Sequence, residues 1–154
     1  MSTIDVGKKA PQFTLEGTAG SWSLSGAAGG PVVVYFYPRD NTPGCTQEGA
    51  DFAAAHAAFK KAKAQIVGIS ADSLAAHEKF KQKMAFPFEL LSDPDKKVCK
   101  QYDVIQEKSM YGKKFLGIER STFLVDGKGV LRHVWRKVKV KGHAAEVLAA
   151  VKAL

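Results

Sequence analysis

Cys45 is the residue best placed to do chemistry in this chain. It lies in the run Pro38-Arg39-Asp40-Asn41-Thr42-Pro43-Gly44-Cys45-Thr46-Gln47-Glu48. An apolar, β-branched stretch, Val32 to Tyr37, precedes the run, and an Ala/Phe-rich stretch of helical spacing follows it. That order predicts a strand, a tight turn and a helix. Thr42 suits the N-cap, Pro43 the first helical position, and Cys45 then falls at the third. A thiol there meets backbone N–H groups without helical partners and the positive end of the helix dipole, which favour the thiolate. The chemistry is nucleophilic attack by sulfur. Gln47 and Glu48 follow Thr46, so there is no Cys-x-x-Cys pair, which argues against a disulfide oxidoreductase of thioredoxin type.

The elements around that turn must hold it in place. Phe13 to Gly17 and Ser21 to Leu24, joined across Thr18-Ala19-Gly20, predict an N-terminal β-hairpin. Val32 to Tyr37 reads as a strand covered on both faces, as does Gln65 to Ser70. Phe52, Ala55, Phe59 and Ala62 recur at intervals of three and four and predict one helix. Ser73 caps a second helix running to about Met84, which Phe86-Pro87-Phe88 ends. Leu90 to Pro94 reads as extended, followed by a small helix from Asp95 to Tyr102. A polar, Gly-containing loop is expected from Gln106 to Gly117. Ser121 to Val125 and Val130 to Arg136 pair across Asp126-Gly127-Lys128-Gly129. A last helix carries Ala144, Val147, Leu148 and Val151 on one face. The expectation is a single α/β domain over residues 1–154, of thioredoxin-like fold: a central mixed sheet flanked by helices, with an N-terminal hairpin.

Composition narrows the function classes. Of 154 residues, 45% are hydrophobic and 25% charged, the balance of a soluble globular domain. No apolar window is long enough to cross a bilayer, and residues 1–7 lack a secretory leader's basic start and apolar core. Cys45 and Cys99 are the two cysteines, too few for a disulfide scaffold and suited to a reducing compartment, so a cytoplasmic protein is expected. The net charge of +8 raises nucleic acid as a partner. Its lysines and arginines interleave with apolar residues, however, and read as solvated faces; the expectation is no nucleic acid and no membrane. His56, His77, His133 and His143 show no metal-ligand spacing with acids or thiols. Gly26 to Gly30 lacks the Lys-Ser/Thr of a phosphate loop and reads as a connector. No metal and no cofactor is expected.

Several motifs together resemble the peroxiredoxins. Pro38-x-x-x-Thr42-x-x-Cys45 matches that family's signature, and Gly117-Ile118-Glu119-Arg120-Ser121-Thr122-Phe123-Leu124 resembles its arginine-bearing strand. Leu91-Ser92-Asp93, Met110-Tyr111-Gly112-Lys113-Lys114 and Gly7-x-x-Ala10-Pro11-x-Phe13 agree further, with the bacterioferritin-comigratory or PrxQ subfamily in particular. The resemblance implies a thiol peroxidase in which Cys45 attacks H2O2 or an organic hydroperoxide and becomes a sulfenic acid. Thr42 and Arg120 would complete its site. Arg120, charged at any relevant pH, can stabilise the thiolate and donate to the peroxide oxygens; its plain alternative is a strand-end pair with Glu119. Thr42 either caps the helix or holds the substrate oxygen. Pro38 either shields the sulfur or merely ends the strand. Glu48 either orients Arg120 or is a solvated acid of the helix.

Departures from the subfamily pattern concern the resolving cysteine. Where many members carry one, this chain has Ala50, and where others carry it, Lys81. Cys99 remains, and its place beside Val98 and Tyr102 reads as a small hydrophobe. A one-cysteine mechanism is expected, with thioredoxin, glutaredoxin or glutathione as reductant, and a monomer. The competing reading is a peroxide sensor or redox-switched binding protein that oxidises Cys45 without turnover.

Overall fold

The computed structural model describes residues 4–27 and 29–154, except for the side chain of Met110. Met1 to Thr3 and Ala28, and with them parts of the leader and connector readings, lie outside the described residues. The strands among the described residues are β1 (Thr14–Gly17), β2 (Gly20–Ser23), β3 (Val32–Phe36), β4 (Gln65–Ser70), β5 (Glu89–Ser92), β6 (Ile105–Met110), β7 (Lys113–Ile118), β8 (Ser121–Val125) and β9 (Leu131–Trp135). The α-helices among them are α1 (Pro43–Ala54), α2 (His56–Lys61), α3 (Leu74–Met84), α4 (Lys97–Gln101) and α5 (His143–Lys152).

Seven strands form one sheet in the order β2-β1-β5-β4-β3-β8-β9. β3, β4 and β5 run parallel, while β8, β9, β1 and β2 are antiparallel to their neighbours. This is the mixed sheet of a thioredoxin-like fold. β3 lies between β4 and β8, and all five of its residues are buried. The two-residue period of a strand then splits the core in two. Val32, Val34 and Phe36 join the cluster containing Val98, Cys99 and Tyr102. Val33, Tyr35 and Tyr37 join the cluster containing Cys45, Phe52, Phe59, Phe80 and Val147. The two cysteines therefore belong to opposite faces of the sheet.

Three expectations are corrected. The helix expected through Phe52, Ala55, Phe59 and Ala62 is interrupted at Ala55, which ends α1 and precedes α2 with a φ of −93° and a ψ of 0°. Phe52 and Phe59 share one cluster across the interruption, their ring centroids 6.0 Å apart. The loop expected from Gln106 to Gly117 is instead the β6–β7 hairpin, paired from Ile105↔Ile118 to Met110↔Lys113. Its turn is Tyr111-Gly112, both at positive φ (53° and 77°), the backbone that a two-residue hairpin turn of type I′ requires. The small helix is also shorter than expected, beginning at Lys97. Asp93 accepts the Cys99 N–H at 2.8 Å and so satisfies one donor of its first turn.

Candidate active site

β3 delivers the chain to the site, and α1 starts within it. Tyr37 still donates its N–H to Ile69 at the end of the β3–β4 ladder. Pro38, with no N–H to give, follows it, ends the strand and is exposed. Thr42 is the N-cap by backbone geometry and Pro43 opens the helix, so Cys45 takes the third helical position. Its side chain is 2% exposed, covered within the aromatic cluster.

Arg120 arrives from across the sheet, in the two-residue link between β7 and β8. Its Nη2 donates to Cys45 Sγ at 3.4 Å, and its Nη1 donates to Glu48 Oε1 at 2.6 Å. Glu48 lies on α1 close to one turn beyond Cys45, so one helix face presents both groups to one guanidinium. The pairing with Glu119 considered from sequence is not the one formed. Gly44 makes room: a Cβ there would lie 3.0 Å from Arg120 Nη2, tighter than ordinary contact.

Electrostatics at this cluster follow from burial. Glu48 is buried, and its second oxygen, Oε2, lacks a hydrogen-bond partner. Desolvation therefore outweighs the Arg120 charge and bond, and pushes the carboxyl up to about 7. Burial works against the charge on Arg120 too, but the negative charges of Glu48 and Cys45 prevail and raise its pKa. Below about pH 7 Glu48 is largely neutral and leaves the guanidinium's charge to the sulfur. Its folded pKa exceeds the unfolded value of 4.5, so the native state keeps a proton that the unfolded chain has lost. The stabilising contribution of Glu48 is thus present below that window and lost as pH rises through it. In urea unfolding, the stability of Glu48→Gln relative to wild type should become more favourable between about pH 4.5 and pH 7.5. A pH-independent difference would contradict a titrating Glu48.

Thr42 does not cap α1 with its side chain. The hydroxyl donates to the Arg39 carbonyl at 3.0 Å, which fixes its proton and turns its lone pairs to the role of acceptor. The capping reading is corrected accordingly. Thr42→Val should change stability by less than about 0.5 kcal/mol. The same change should slow Cys45 oxidation about tenfold in stopped-flow single turnover, the value of one hydrogen bond. A stability loss without a rate change would restore the capping role.

One cluster escaped the sequence reading. His77, on α3, is fully buried, and its Nδ1 lies 2.6 Å from Asp40 Oδ2 in the loop before Cys45. Its Nε2 donates to the Leu91 carbonyl at 2.9 Å. Tyr37 donates its hydroxyl to Asp40 Oδ1 at 2.5 Å, and the Asp40 N–H donates to Asp72 Oδ2 at 2.8 Å. The expectation that no histidine groups with acids is therefore wrong: ligand-type atoms of Asp40, Asp72 and His77 lie within 4.8 Å of one another. These atoms bond to one another and to neighbouring backbone and hydroxyl groups, so the cluster is a buried acid–base network tying α3 to the Cys45 loop. Asp40 within the motif was the available signal. His143 is likewise buried, its Nε2 2.8 Å from Thr122 Oγ1, while His133 stacks on Trp135 at an exposed position of β9.

Cys99 is wholly buried on the other face of the sheet. Desolvation, with the bond to and charge of Asp93, raises its thiol pKa far above the ordinary value, the character of an inert thiol.

Fold and site together define a cysteine-dependent oxidoreductase on a thioredoxin-like sheet, with a guanidinium rather than a second thiol beside the reactive sulfur. The sequence profile of the AhpC/TSA family matches residues 6–134. Peroxiredoxin Bcp of Xanthomonas campestris is 53% identical over 142 residues, covering 92% of this chain and 83% of that protein. Peroxiredoxin Bcp of Bacillus subtilis is 48% identical over 151 residues, 97% of this chain and 96% of the relative. Among solved structures, a mutant of Xylella fastidiosa PrxQ superposes with a TM-score of 0.93 at 40% identity, over 99% and 98% of the two chains. The bacterioferritin comigratory protein of X. campestris, studied for alkyl peroxide reduction, gives a TM-score of 0.90 at 49% identity, over 97% and 98%. This chain belongs to the AhpC/TSA family, as a peroxiredoxin of the Bcp/PrxQ subfamily.

Proposed function

We propose that this protein is a thiol peroxidase that reduces H2O2 and organic hydroperoxides at Cys45 and is recycled by an external thiol. The observation that carries the reading is the 3.4 Å contact between Arg120 Nη2 and Sγ of a cysteine in the first turn of α1. The thiolate attacks one peroxide oxygen. The S–O bond forms as the O–O bond breaks, sulfur loses two electrons, and the departing oxygen takes a proton to leave as water or alcohol. Arg120 stabilises the sulfur's charge before the step and donates to the oxygens as charge passes between them. The Thr42 hydroxyl accepts a hydrogen bond from the peroxide O–H and so orients the O–O bond, while Glu48 holds the guanidinium in line.

Recycling follows a one-cysteine route. An external thiol attacks the sulfenic sulfur, expelling water and leaving a mixed disulfide; a second thiol then releases reduced Cys45. Burial of Cys99 on the opposite face of the sheet favours this route over an internal bridge. Lys81, where the resemblance places a second cysteine in some members, is engaged with Glu89 at 2.8 Å. Thioredoxin, glutaredoxin and glutathione are the candidate reductants. A reducing, cytoplasmic setting suits two free thiols, and we take the working unit to be the monomer.

The test is peroxide consumption with each reductant supplied separately, wild type against Cys45→Ser, with intact mass after one equivalent of peroxide. Many turnovers with one reductant, none in the variant, and a 16 Da addition or a mixed disulfide as the oxidised form (one oxygen atom on sulfur) support the reading. Consumption that stops near one equivalent would instead mark a redox switch. A quantitative Cys45–Cys99 bridge would overturn the one-cysteine route.

A further inference from the structure

The β6–β7 hairpin stands apart from the rest of the sheet. Among the described residues it pairs only with itself, forming a separate two-stranded ribbon. Such a ribbon is marginal in water on its own. Residues 113–116 of β7 are all exposed, so neither face of that stretch is committed to a core. Tyr111 is 97% exposed, Leu116 61% and Phe115 44%. They are three of the five exposed large apolar side chains among the described residues; the other two, Val6 and Leu154, lie near the chain ends. A concentration of this kind on one projecting element marks an interaction surface.

Its position ties that surface to Cys45. β7 ends at the buried Ile118, and two residues later Arg120 touches Sγ. Lys108 donates to the Ile118 carbonyl at 2.5 Å, and the charges of Arg120 and Cys45 both act on its ammonium. The root of the hairpin is therefore at the site. The ribbon carries three lysines, Lys108, Lys113 and Lys114, against one acid, Glu107, on a chain of net charge +8. Apolar contact within a positive field is complementary to an acidic partner.

The chemistry says what that partner must bring. Cys45 is 2% exposed, so its sulfur is hard to reach by random collision with a large molecule and a protein thiol needs an orienting contact close by. We propose that the β6–β7 hairpin is the docking surface for an acidic, dithiol-bearing protein that reduces oxidised Cys45. This rests on the peroxidase reading above. One thiol of the partner attacks the sulfenic sulfur, water leaves, and a mixed disulfide forms. The partner's second thiol attacks its own sulfur in that bond, so the partner departs as a disulfide and Cys45 as a thiol.

Two variants test the assignment, one apolar (Tyr111→Ser with Phe115→Ser and Leu116→Ser) and one charged (Lys113→Glu with Lys114→Glu). Each is compared with wild type in three assays: single-turnover oxidation by H2O2, turnover with dithiothreitol, and turnover with thioredoxin as the acidic dithiol protein. The expected result is unchanged oxidation and unchanged dithiothreitol turnover, with KM for thioredoxin raised about tenfold or more. Raising salt should weaken thioredoxin turnover for wild type and much less for the charge-reversed variant. Equal losses with both reductants, no change with thioredoxin, or a wild-type dimer that the apolar variant breaks would each overturn the proposal. Failure of wild type itself to turn over with dithiothreitol would instead defeat the peroxidase reading, and so separates the two.

Discussion

Replacing Arg120 with methionine is expected to slow oxidation of Cys45 by H2O2 about 10²- to 10³-fold, the usual cost of removing a preorganised donor aimed at developing charge. The geometry explains the size. One guanidinium serves Sγ at 3.4 Å and Glu48 at 2.6 Å, in a place where both partners are almost wholly shielded from water. Low solvent access strengthens each contact and makes its loss harder to compensate. Arg120→Lys keeps the charge but not the fork, and cannot bridge sulfur and carboxylate in the same plane, so most of the loss should persist. Gly44→Ala offers a test that removes no functional group. Its new Cβ would sit 3.0 Å from Nη2 and push the guanidinium off the sulfur, giving a smaller loss in the same direction. Stopped-flow measurement of single-turnover oxidation reads all three. An Arg120→Met rate within threefold of wild type would remove the guanidinium from the mechanism.

The parts of this arrangement that the sequence revealed are those encoded locally. The strand, turn and helix start around Cys45 follow from a β-branched run and a proline within a dozen positions, and the structure places Cys45 at the third helical position as expected. Arg120 lies 75 residues from Cys45, and it was accessible through a family motif rather than through any spacing. The elevated Glu48 pKa was not legible, because it arises from burial that only the packed sheet creates. The β6–β7 hairpin was missed for a related reason. Residues 113–116 of β7 expose both faces and so lack the alternation that identifies a half-buried strand, and lysines take places where β-branched residues would have signalled one. Tyr111-Gly112 was the remaining clue, a two-residue turn with glycine in second place. The same exposure that hid the hairpin from pattern reading is what suits it to meeting another molecule.

The network behind the Cys45 loop carries the largest stability effect. His77→Ala is expected to destabilise the protein by about 2–4 kcal/mol, the combined cost of orphaned buried hydrogen-bond partners and a cavity. Three losses combine. Asp40, with only 6% of its side chain exposed, keeps its Tyr37 bond but loses the imidazole at 2.6 Å. The buried Leu91 carbonyl loses its donor, and a cavity opens beneath α3. Asp40→Asn should cost less, since the amide oxygen can still accept from Tyr37 while the contact with Nδ1 weakens. Combining the two changes should cost less than their sum by at least about 1 kcal/mol, because each single variant already breaks the shared contact. Urea unfolding of the four proteins completes the cycle. Strict additivity, or a His77→Ala loss under about 1 kcal/mol, would mean that water replaces the imidazole at no great cost and that α3 does not brace the loop. The network bonds the loop at Asp40, two residues before Thr42. A loosened loop should therefore also slow peroxide attack in the surviving folded fraction, through displacement of Thr42 rather than of Arg120.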